Sequence, residues 1–121
     1  MSVVLKSGED YLERILILKE RNGEVRSIDI ANDMNFSKPS VSIAMRKLKE
    51  GGYITIDKDG YINLTEKGKE IATKIYERHR VISSLLMSIG VDEKVALNDA
   101  CEIEHVISDE TFDAIKKYSK K

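Results

Sequence analysis

The 121-residue sequence predicts a mostly α-helical chain with one small β-hairpin, arranged as a winged helix-turn-helix followed by a helical module. Apolar residues recur at helical spacing in six separate segments. Two short β-rich runs flank a glycine-containing loop near the middle of the chain. Three helices followed by a hairpin is the order of a winged helix-turn-helix.

The first two helices are predicted from their capping residues and their apolar spacing. Ser7 begins a sequence with the form of a capping box, and apolar side chains at helical spacing follow over about residues 8–21. Ser27 is the expected N-cap of a short helix that ends at Met34.

The third helix and the hairpin are predicted from proline, glycine and β-branched residues. Pro39 suits a first helical turn, where its missing N–H is not needed, and the helix should end at Gly51. The β-rich runs 53–56 and 61–64 enclose the loop 57–60 and form the predicted hairpin.

Three more helices are predicted in the second half. Thr65 can cap a long helix over about 66–89, which exceeds what a small domain needs and should link two modules. Two further helices follow their N-cap candidates Asp92 and Ser108, over about 93–106 and 109–118. We therefore predict a winged-helix DNA-binding domain over 1–70 and a helical domain over 71–121.

Composition limits the class of protein. Hydrophobic residues make up 41% and charged residues 34%, so the chain can bury a core. No segment approaches the roughly 20 apolar residues of a bilayer span, and no signal peptide is visible at the start. The single cysteine, Cys101, suits a reducing compartment. We expect a cytoplasmic protein with no membrane partner.

Basic residues are concentrated in the middle of the chain. Residues 35–80 hold ten Lys/Arg against six Asp/Glu, whereas 1–34 hold five against seven and 81–121 hold five against eight. A basic middle between acidic ends is compatible with a nucleic-acid-binding face, and equally with an ordinary solvated surface.

The third helix and the hairpin carry the candidate DNA contacts. The first helical turn combines short hydroxyl side chains, a lysine and, we expect, free backbone N–H groups, all suited to phosphates or base edges. The candidates, including one lysine at the wing tip, are Ser37, Lys38, Pro39, Ser40, Ser42, Arg46, Lys47 and Lys58. Each residue alone could merely cap or solubilise a helix, and the ordered pattern favours double-stranded DNA as a partner.

The segment 98–110 carries candidate metal ligands. On a helix, Cys101, Glu104 and His105 stand at i, i+3 and i+4 and share one face. Each also has an ordinary explanation, as a small buried thiol, a solvated acid and a hydrogen-bonded core histidine. Spacing on one helix cannot show a fourth ligand.

Further ligand candidates lie in two other helices. His79 projects from the apolar stripe of the long helix, where a lone histidine needs a partner. Asp10 and Glu13 form a carboxylate pair three residues apart on the first helix. Asp10 could instead belong to the capping box, and Glu13 to a solvated face.

These segments resemble a known family. The sequence is similar to the iron- and manganese-dependent repressors of the diphtheria-toxin-repressor and manganese-transport-regulator group. The similarity spans nearly the whole chain in the right order, through EDYLERI (9–15), FSKPSVS (36–42), the hairpin into LTEKGKEIA (64–72), ERHRVISSLL (77–86) and NDACEIEHVISDE (98–110).

The resemblance implies a metal-activated repressor that controls metal-homeostasis genes. It implies a homodimer, paired through the C-terminal helices, on a palindromic operator. The residues that match the family's DNA-contacting turn are Ser37, Pro39, Ser40 and Ser42. The residues that match its metal-ligand positions are Asp10, Glu13, His79, Cys101, Glu104 and His105.

Two departures concern the choice of metal. Asp10 resembles the manganese-sensing branch, whereas Cys101 resembles the iron-sensing branch, and Ser83 replaces an acid of that branch. Oxygen ligands favour Mn²⁺ and Fe²⁺, and a thiolate moves the preference towards Fe²⁺, Co²⁺ or Zn²⁺. The expected cofactor is Mn²⁺ or Fe²⁺, for which Co²⁺ or Zn²⁺ can substitute.

Three rival functions stay open at this point, and no small organic substrate is expected. A winged-helix regulator could sense a non-metal effector, or an oxidant at Cys101. A metalloenzyme could use His79, Glu104 and His105, although the sequence has no HExxH run and no Gly-rich phosphate loop. A winged helix could also serve as a protein-interaction module, which would show no counterion-release effect with DNA.

Overall fold

The computed structural model describes residues 6–119, and within that range the chain forms six helices and one hairpin. In chain order they are α1 (Lys6–Asn22), α2 (Ser27–Met34), α3 (Lys38–Glu50), β1 (Ile54–Ile56), β2 (Ile62–Leu64), α4 (Glu66–Ser88), α5 (Glu93–Ile103) and α6 (Asp109–Ser119). The predicted fold class is confirmed. The ends of the predicted domains, 1–5 and 120–121, lie outside the described residues.

The chain divides into two compact units, Met1–Thr73 and Lys74–Lys121, with α4 running through the division. The core of the first unit is formed by one face of each of its helices and by the hairpin. Among the described residues, its largest fully buried side chains are Leu12, Ile15, Val25, Ile30, Val41, Met45, Ile54 and Ile62. On α3 the buried residues recur at helical spacing, as predicted, so its opposite face is left to solvent.

Two predicted N-caps differ from the observed ones. Ser7 lies inside α1 and is not its N-cap. The N-cap of α2 is Arg26 and not Ser27, because the Asp29 side chain accepts the Arg26 N–H at 2.9 Å and fixes the helix start one residue earlier. Shifts of this size do not move the helices, since apolar spacing and not the cap sets which face is buried.

The turn between α2 and α3 has the geometry that a helix-turn-helix requires. Asn35 ends α2 in the left-handed region at φ 58°, which asparagine tolerates better than most residues. The Phe36 N–H donates to the Ala31 carbonyl, and the Phe36 ring meets that of Tyr11 edge to face at 6.0 Å. This turn fixes where α3 begins.

The hairpin is antiparallel, with Ile54 opposite Leu64 and Ile56 opposite Ile62. Asp57 organises its loop, because its Oδ1 accepts the N–H groups of Asp59 and Tyr61, each at 2.9 Å. The predicted hairpin and its loop are confirmed.

Gly68 is required where α4 begins against the hairpin. A Cβ at this position would lie 2.0 Å from the Tyr53 carbonyl oxygen. Thr65 caps the helix as predicted, accepting the Gly68 N–H at 3.2 Å and donating to the Gly52 carbonyl at 2.7 Å.

The second unit consists of the later part of α4 with α5 and α6. Asp92 and Ser108 cap α5 and α6, as predicted. However, α5 ends at Ile103 and not near residue 106, so Glu104 and His105 lie in the turn that follows. Among residues 6–119, no helix is long and apolar enough to cross a membrane.

Candidate metal centre and nucleic-acid interface

All eight predicted DNA-contacting residues are exposed to solvent. We call them the recognition face: Ser37, Lys38, Pro39, Ser40, Ser42, Arg46 and Lys47 on or next to α3, and Lys58 in the hairpin loop. Val41 and Met45 hold the other side of the helix in the core, where they are at most 1% exposed. The amphipathicity of α3 therefore presents a hydroxyl-rich, basic surface to solvent.

The start of α3 differs from the sequence-based expectation in one respect. Free backbone N–H groups were expected there, but Pro39 has none and the Ser40 N–H donates to the Ser37 hydroxyl oxygen at 3.3 Å. The Val41 N–H donates to the Ser37 carbonyl at 3.1 Å. Contacts from this turn to a nucleic acid would thus come mainly from side chains.

One exposed residue of α3 was missed by the sequence reasoning. Ile43 lies on the solvent side of the helix and is 46% exposed, although its apolar character suggested the core. An apolar side chain at a major-groove surface can contact the methyl group of thymine. Its exposure follows only from its position around the helix axis relative to the buried Val41 and Met45.

The second unit contains a buried carboxylate between two imidazoles. Glu104 is 0% exposed. His79 Nδ1 on α4 lies 3.1 Å from its Oε2, and His105 Nε2 lies 3.4 Å from its Oε1. The predicted residues His79, Glu104 and His105 are thus brought together, although they come from α4 and from the turn after α5.

Cys101 lies in the last turn of α5, three residues before Glu104. Its Sγ and a carboxylate oxygen of Glu104 lie within 4.8 Å of one another. The thiol is partly buried. The second unit therefore groups a thiol, a carboxylate and two imidazoles, which are the side chains that bind divalent transition metals.

A test of whether these residues fit a metal comes from Glu104 itself. Its Oε1 is buried and has no hydrogen-bond partner among the described residues. A buried carboxyl oxygen without a hydrogen bond is costly, and such atoms are rare in folded proteins. A cation coordinated by this oxygen would remove that cost, so the donor set fits a metal.

Two predicted ligands belong to the first unit. Asp10 and Glu13 lie on α1, where Lys6 Nζ donates to Asp10 Oδ2 at 3.3 Å. Glu13 is only 7% exposed, which is unusual for a glutamate and contradicts the alternative of a solvated helix face.

Ser83 and Arg78 are buried polar residues of α4. The Ser83 hydroxyl donates to the Arg80 carbonyl at 3.2 Å. Arg78 is 5% exposed, and its guanidinium reaches the turn that contains Glu104. Sequence reasoning missed Arg78 because an arginine on a helix is usually a surface residue.

Comparison with known proteins agrees with this arrangement. Residues 4–66 match the family description "Iron dependent repressor, N-terminal DNA binding domain". Residues 65–121 match "Iron dependent repressor, metal binding and dimerisation domain". The two matches together cover nearly the whole chain.

Two curated relatives are similar along most of their length. An uncharacterised helix-turn-helix transcriptional regulator of Methanocaldococcus jannaschii is 39% identical over 96% of this chain and 94% of its own. The transcriptional regulator MntR of Escherichia coli is 33% identical over 93% of this chain and 73% of its own.

A solved structure shows the same fold. The structure of the manganese regulator SloR superimposes with a TM-score of 0.82 at 32% identity, covering 92% of this chain. This chain spans only 52% of the SloR chain.

Proposed function

The chain belongs to the iron-dependent repressor family, and from this premise we propose that it is a transcriptional repressor whose operator binding is switched on by Mn²⁺ or Fe²⁺. The family supplies a DNA-binding domain and a metal-binding and dimerisation domain. The observation that carries the proposal is the buried Glu104 carboxylate between His79 and His105, with one oxygen that has no hydrogen-bond partner within residues 6–119.

We propose that His79, Cys101, Glu104 and His105 supply ligands from the second unit. Asp10 and Glu13 are proposed as ligands from the sequence resemblance. The bound cation would supply positive charge to a set of acidic ligands that repel one another without it. Because Asp10 and Glu13 lie on α1 of the unit that carries the recognition face, ligation there would make the arrangement of that face depend on the metal.

The recognition face would bind the operator. Arg46, Lys47, Lys38 and Lys58 offer positive charge for phosphates, and the hydroxyls of Ser37, Ser40 and Ser42 offer donors and acceptors for phosphates or base edges. We propose that a homodimer places two such faces about 34 Å apart, one turn of DNA, on a palindromic operator. The target genes would serve metal homeostasis.

The choice between manganese and iron follows the ligand chemistry. SloR is a manganese regulator by its description, and the family description names iron. Carboxylates at Asp10 and Glu13 suit either ion, and a thiolate at Cys101 favours Fe²⁺, with Co²⁺ or Zn²⁺ as substitutes. We propose that the protein acts in the cytoplasm and catalyses no reaction.

The experiment is a fluorescence titration of duplex DNA, selected from a random library in the presence of Mn²⁺ or Fe²⁺. It is repeated with Mn²⁺, Fe²⁺, Co²⁺, Zn²⁺ and chelator under reducing, anaerobic conditions. We expect binding to tighten with metal and to weaken steeply with salt. Equally tight binding in chelator would reject the metal switch, and a flat salt dependence would reject the DNA interface.

A second candidate function is favoured by one specific residue. Cys101 is a partly buried thiol within the candidate site, so an oxidant could be the signal. Replacement of Cys101 by Ser separates the two functions. Loss of the response to metal supports ligation, whereas loss of a response to peroxide with the metal response intact supports redox sensing.

A further inference from the structure

The Arg78 side chain makes three hydrogen bonds in the second unit. Its Nη1 donates to the carbonyl oxygens of Glu104 at 3.0 Å and Ile107 at 2.8 Å. Its Nη2 donates to Asp109 Oδ1 at 2.6 Å. The side chain is only 6% exposed, so these bonds are formed largely away from solvent.

The bonds of Arg78 span the whole turn after α5. They begin at Glu104, the C-cap of α5, pass Ile107 and end at Asp109, the first residue of α6. The guanidinium also lies over the ring of Phe112, at 5.4 Å from its centroid. One side chain of α4 therefore fixes the backbone on both sides of His105.

The backbone N–H groups and carbonyl groups of the turn are held by different partners. The N–H groups of Glu104, His105, Val106 and Ile107 donate to carbonyls of α5, at 2.9 Å for Glu104 and at a long 3.4 Å for His105. The carbonyl oxygens of Glu104 and Ile107 accept from Arg78 on α4. Arg78 therefore ties to α4 a turn whose own backbone hydrogen bonds reach only α5.

From these contacts we propose that Arg78 is a positioning residue for the metal centre. It holds the turn so that the Glu104 carboxylate lies between the imidazole of His105 and that of His79, which follows Arg78 directly on α4. This inference rests on the proposed function. The hydrogen bonds of Arg78 reach two backbone carbonyls of the turn and the Asp109 carboxylate, so it acts through the backbone that carries the proposed ligands.

The test compares Arg78→Met, Arg78→Lys and the control Asp109→Asn with the parent protein. Methionine keeps much of the aliphatic volume and removes every donor, whereas lysine keeps the charge and can satisfy part of the acceptor set. Asp109→Asn removes the charged partner and leaves the two carbonyl bonds. The readouts are Co²⁺ affinity, the Co²⁺ ligand-field absorption spectrum and amide hydrogen exchange of residues 104–107 in metal-free protein.

We expect Arg78→Met to weaken Co²⁺ binding by about 10- to 100-fold, the range for partners that orient metal ligands. Its absorption spectrum should change, its 104–107 amides should exchange faster, and Arg78→Lys should recover part of each effect. Asp109→Asn should keep the parental spectrum. Circular dichroism identifies any variant that does not fold, and if Arg78→Met is one, the comparison rests on Arg78→Lys.

Parental Co²⁺ affinity and spectrum in a folded Arg78 variant would overturn the inference and leave the proposed function standing. If the parent protein itself bound no Co²⁺, Mn²⁺ or Fe²⁺, the proposed function would fail first, and this inference with it. The hydrogen-exchange result would then still show whether Arg78 orders the turn.

Discussion

The recognition face and the turn that carries Glu104 and His105 differ in how far their polar residues are exposed to solvent. On the recognition face, every proposed contact residue is exposed and the apolar side of α3 is buried beneath it. In the second unit, a carboxylate is fully buried, and an arginine from α4 holds its backbone. The exposed polar residues of a DNA-binding surface cost the fold little free energy. A metal centre instead needs polar groups in buried positions, which is unfavourable for folding.

This difference predicts how the two regions respond to substitution. Changes on the recognition face should alter DNA binding with small effects on folding, unless the residue also caps a helix. Changes in the metal centre should alter metal binding strongly, and their effect on the metal-free fold should depend on which hydrogen bonds the new side chain keeps.

The largest effect is expected from Glu104→Gln. The substitution keeps the shape and removes the charge, so metal affinity should fall by about 100-fold or more, beyond the range for residues that only orient a ligand. Glutamine keeps an amide oxygen that can accept from His79 Nδ1, so the metal-free protein should remain folded. Calorimetric metal titration and thermal denaturation measure the two effects.

Asp99→Asn is the matched control, since it removes an acidic charge from an exposed position of α5. It should leave metal affinity at the parental value. Parental metal affinity in Glu104→Gln, or an equal loss in both variants, would contradict the assignment of Glu104 as a ligand.

The next effect in size is expected from Arg46→Gln on the recognition face. Loss of one phosphate contact should weaken binding to specific and non-specific DNA alike and make the salt dependence shallower by about one ion. Lys117→Gln removes the same charge from an exposed position of α6 and should change neither quantity. Anisotropy titrations at several salt concentrations compare them, and identical slopes for the two variants would place Arg46 outside the interface.

A smaller effect separates two serines that the sequence treats alike. Ser37 accepts the Ser40 N–H as the N-cap of α3, so Ser37→Ala should cost about 1 kcal/mol of unfolding free energy in addition to any loss of DNA affinity. Ser42 is exposed, and Ser42→Ala should affect DNA affinity alone. Urea denaturation measures the free energy of unfolding of each variant. Equal values for Ser37→Ala and the parent protein would show that the cap does not stabilise the fold.

The smallest expected effect is on the pH dependence of stability, and it concerns Asp109 in the second unit. Hydrogen bonding and charge interaction with Lys74, and then with Arg78, hold the pKa of Asp109 below its ordinary value of 3.8. A carboxylate whose pKa is lowered on folding stabilises the fold above its unfolded pKa, and this stabilisation is lost as the pH falls through the folded pKa.

Asp109→Asn should therefore lower the melting temperature at neutral pH and have no effect in strong acid. Asp113→Asn, an exposed aspartate on the same helix, should behave as the parent protein throughout. A pH-independent difference between Asp109→Asn and the parent would show that the ion pairs do not contribute as described.

The sequence predicts the first unit more completely than the second for a physical reason. Apolar spacing reports which side of a helix is buried, so Val41, Met45 and Leu48 also identify the exposed residues opposite them. The same spacing leaves Ile43 on the exposed side of α3, although this apolar residue was not among the predicted DNA contacts.

In the second unit the sequence identifies the chemical groups without their environment. His79 was predicted to need a partner, and the structure supplies Glu104. The contacts of Arg78 were not predictable, since they join residues 26 and 29 positions apart in the sequence. A buried arginine or glutamate leaves no mark in a hydropathy pattern.

The most direct test of the central claim is the reciprocity between metal and operator. If metal raises operator affinity by some factor, operator must raise metal affinity by the same factor. Metal titrations of the protein alone and of the protein saturated with operator duplex, each repeated with Glu104→Gln, measure that factor from both sides. We predict equal factors well above one for the parent protein and no coupling in the variant. Metal affinity that is unchanged by the operator would contradict the claim that the metal centre controls the recognition face.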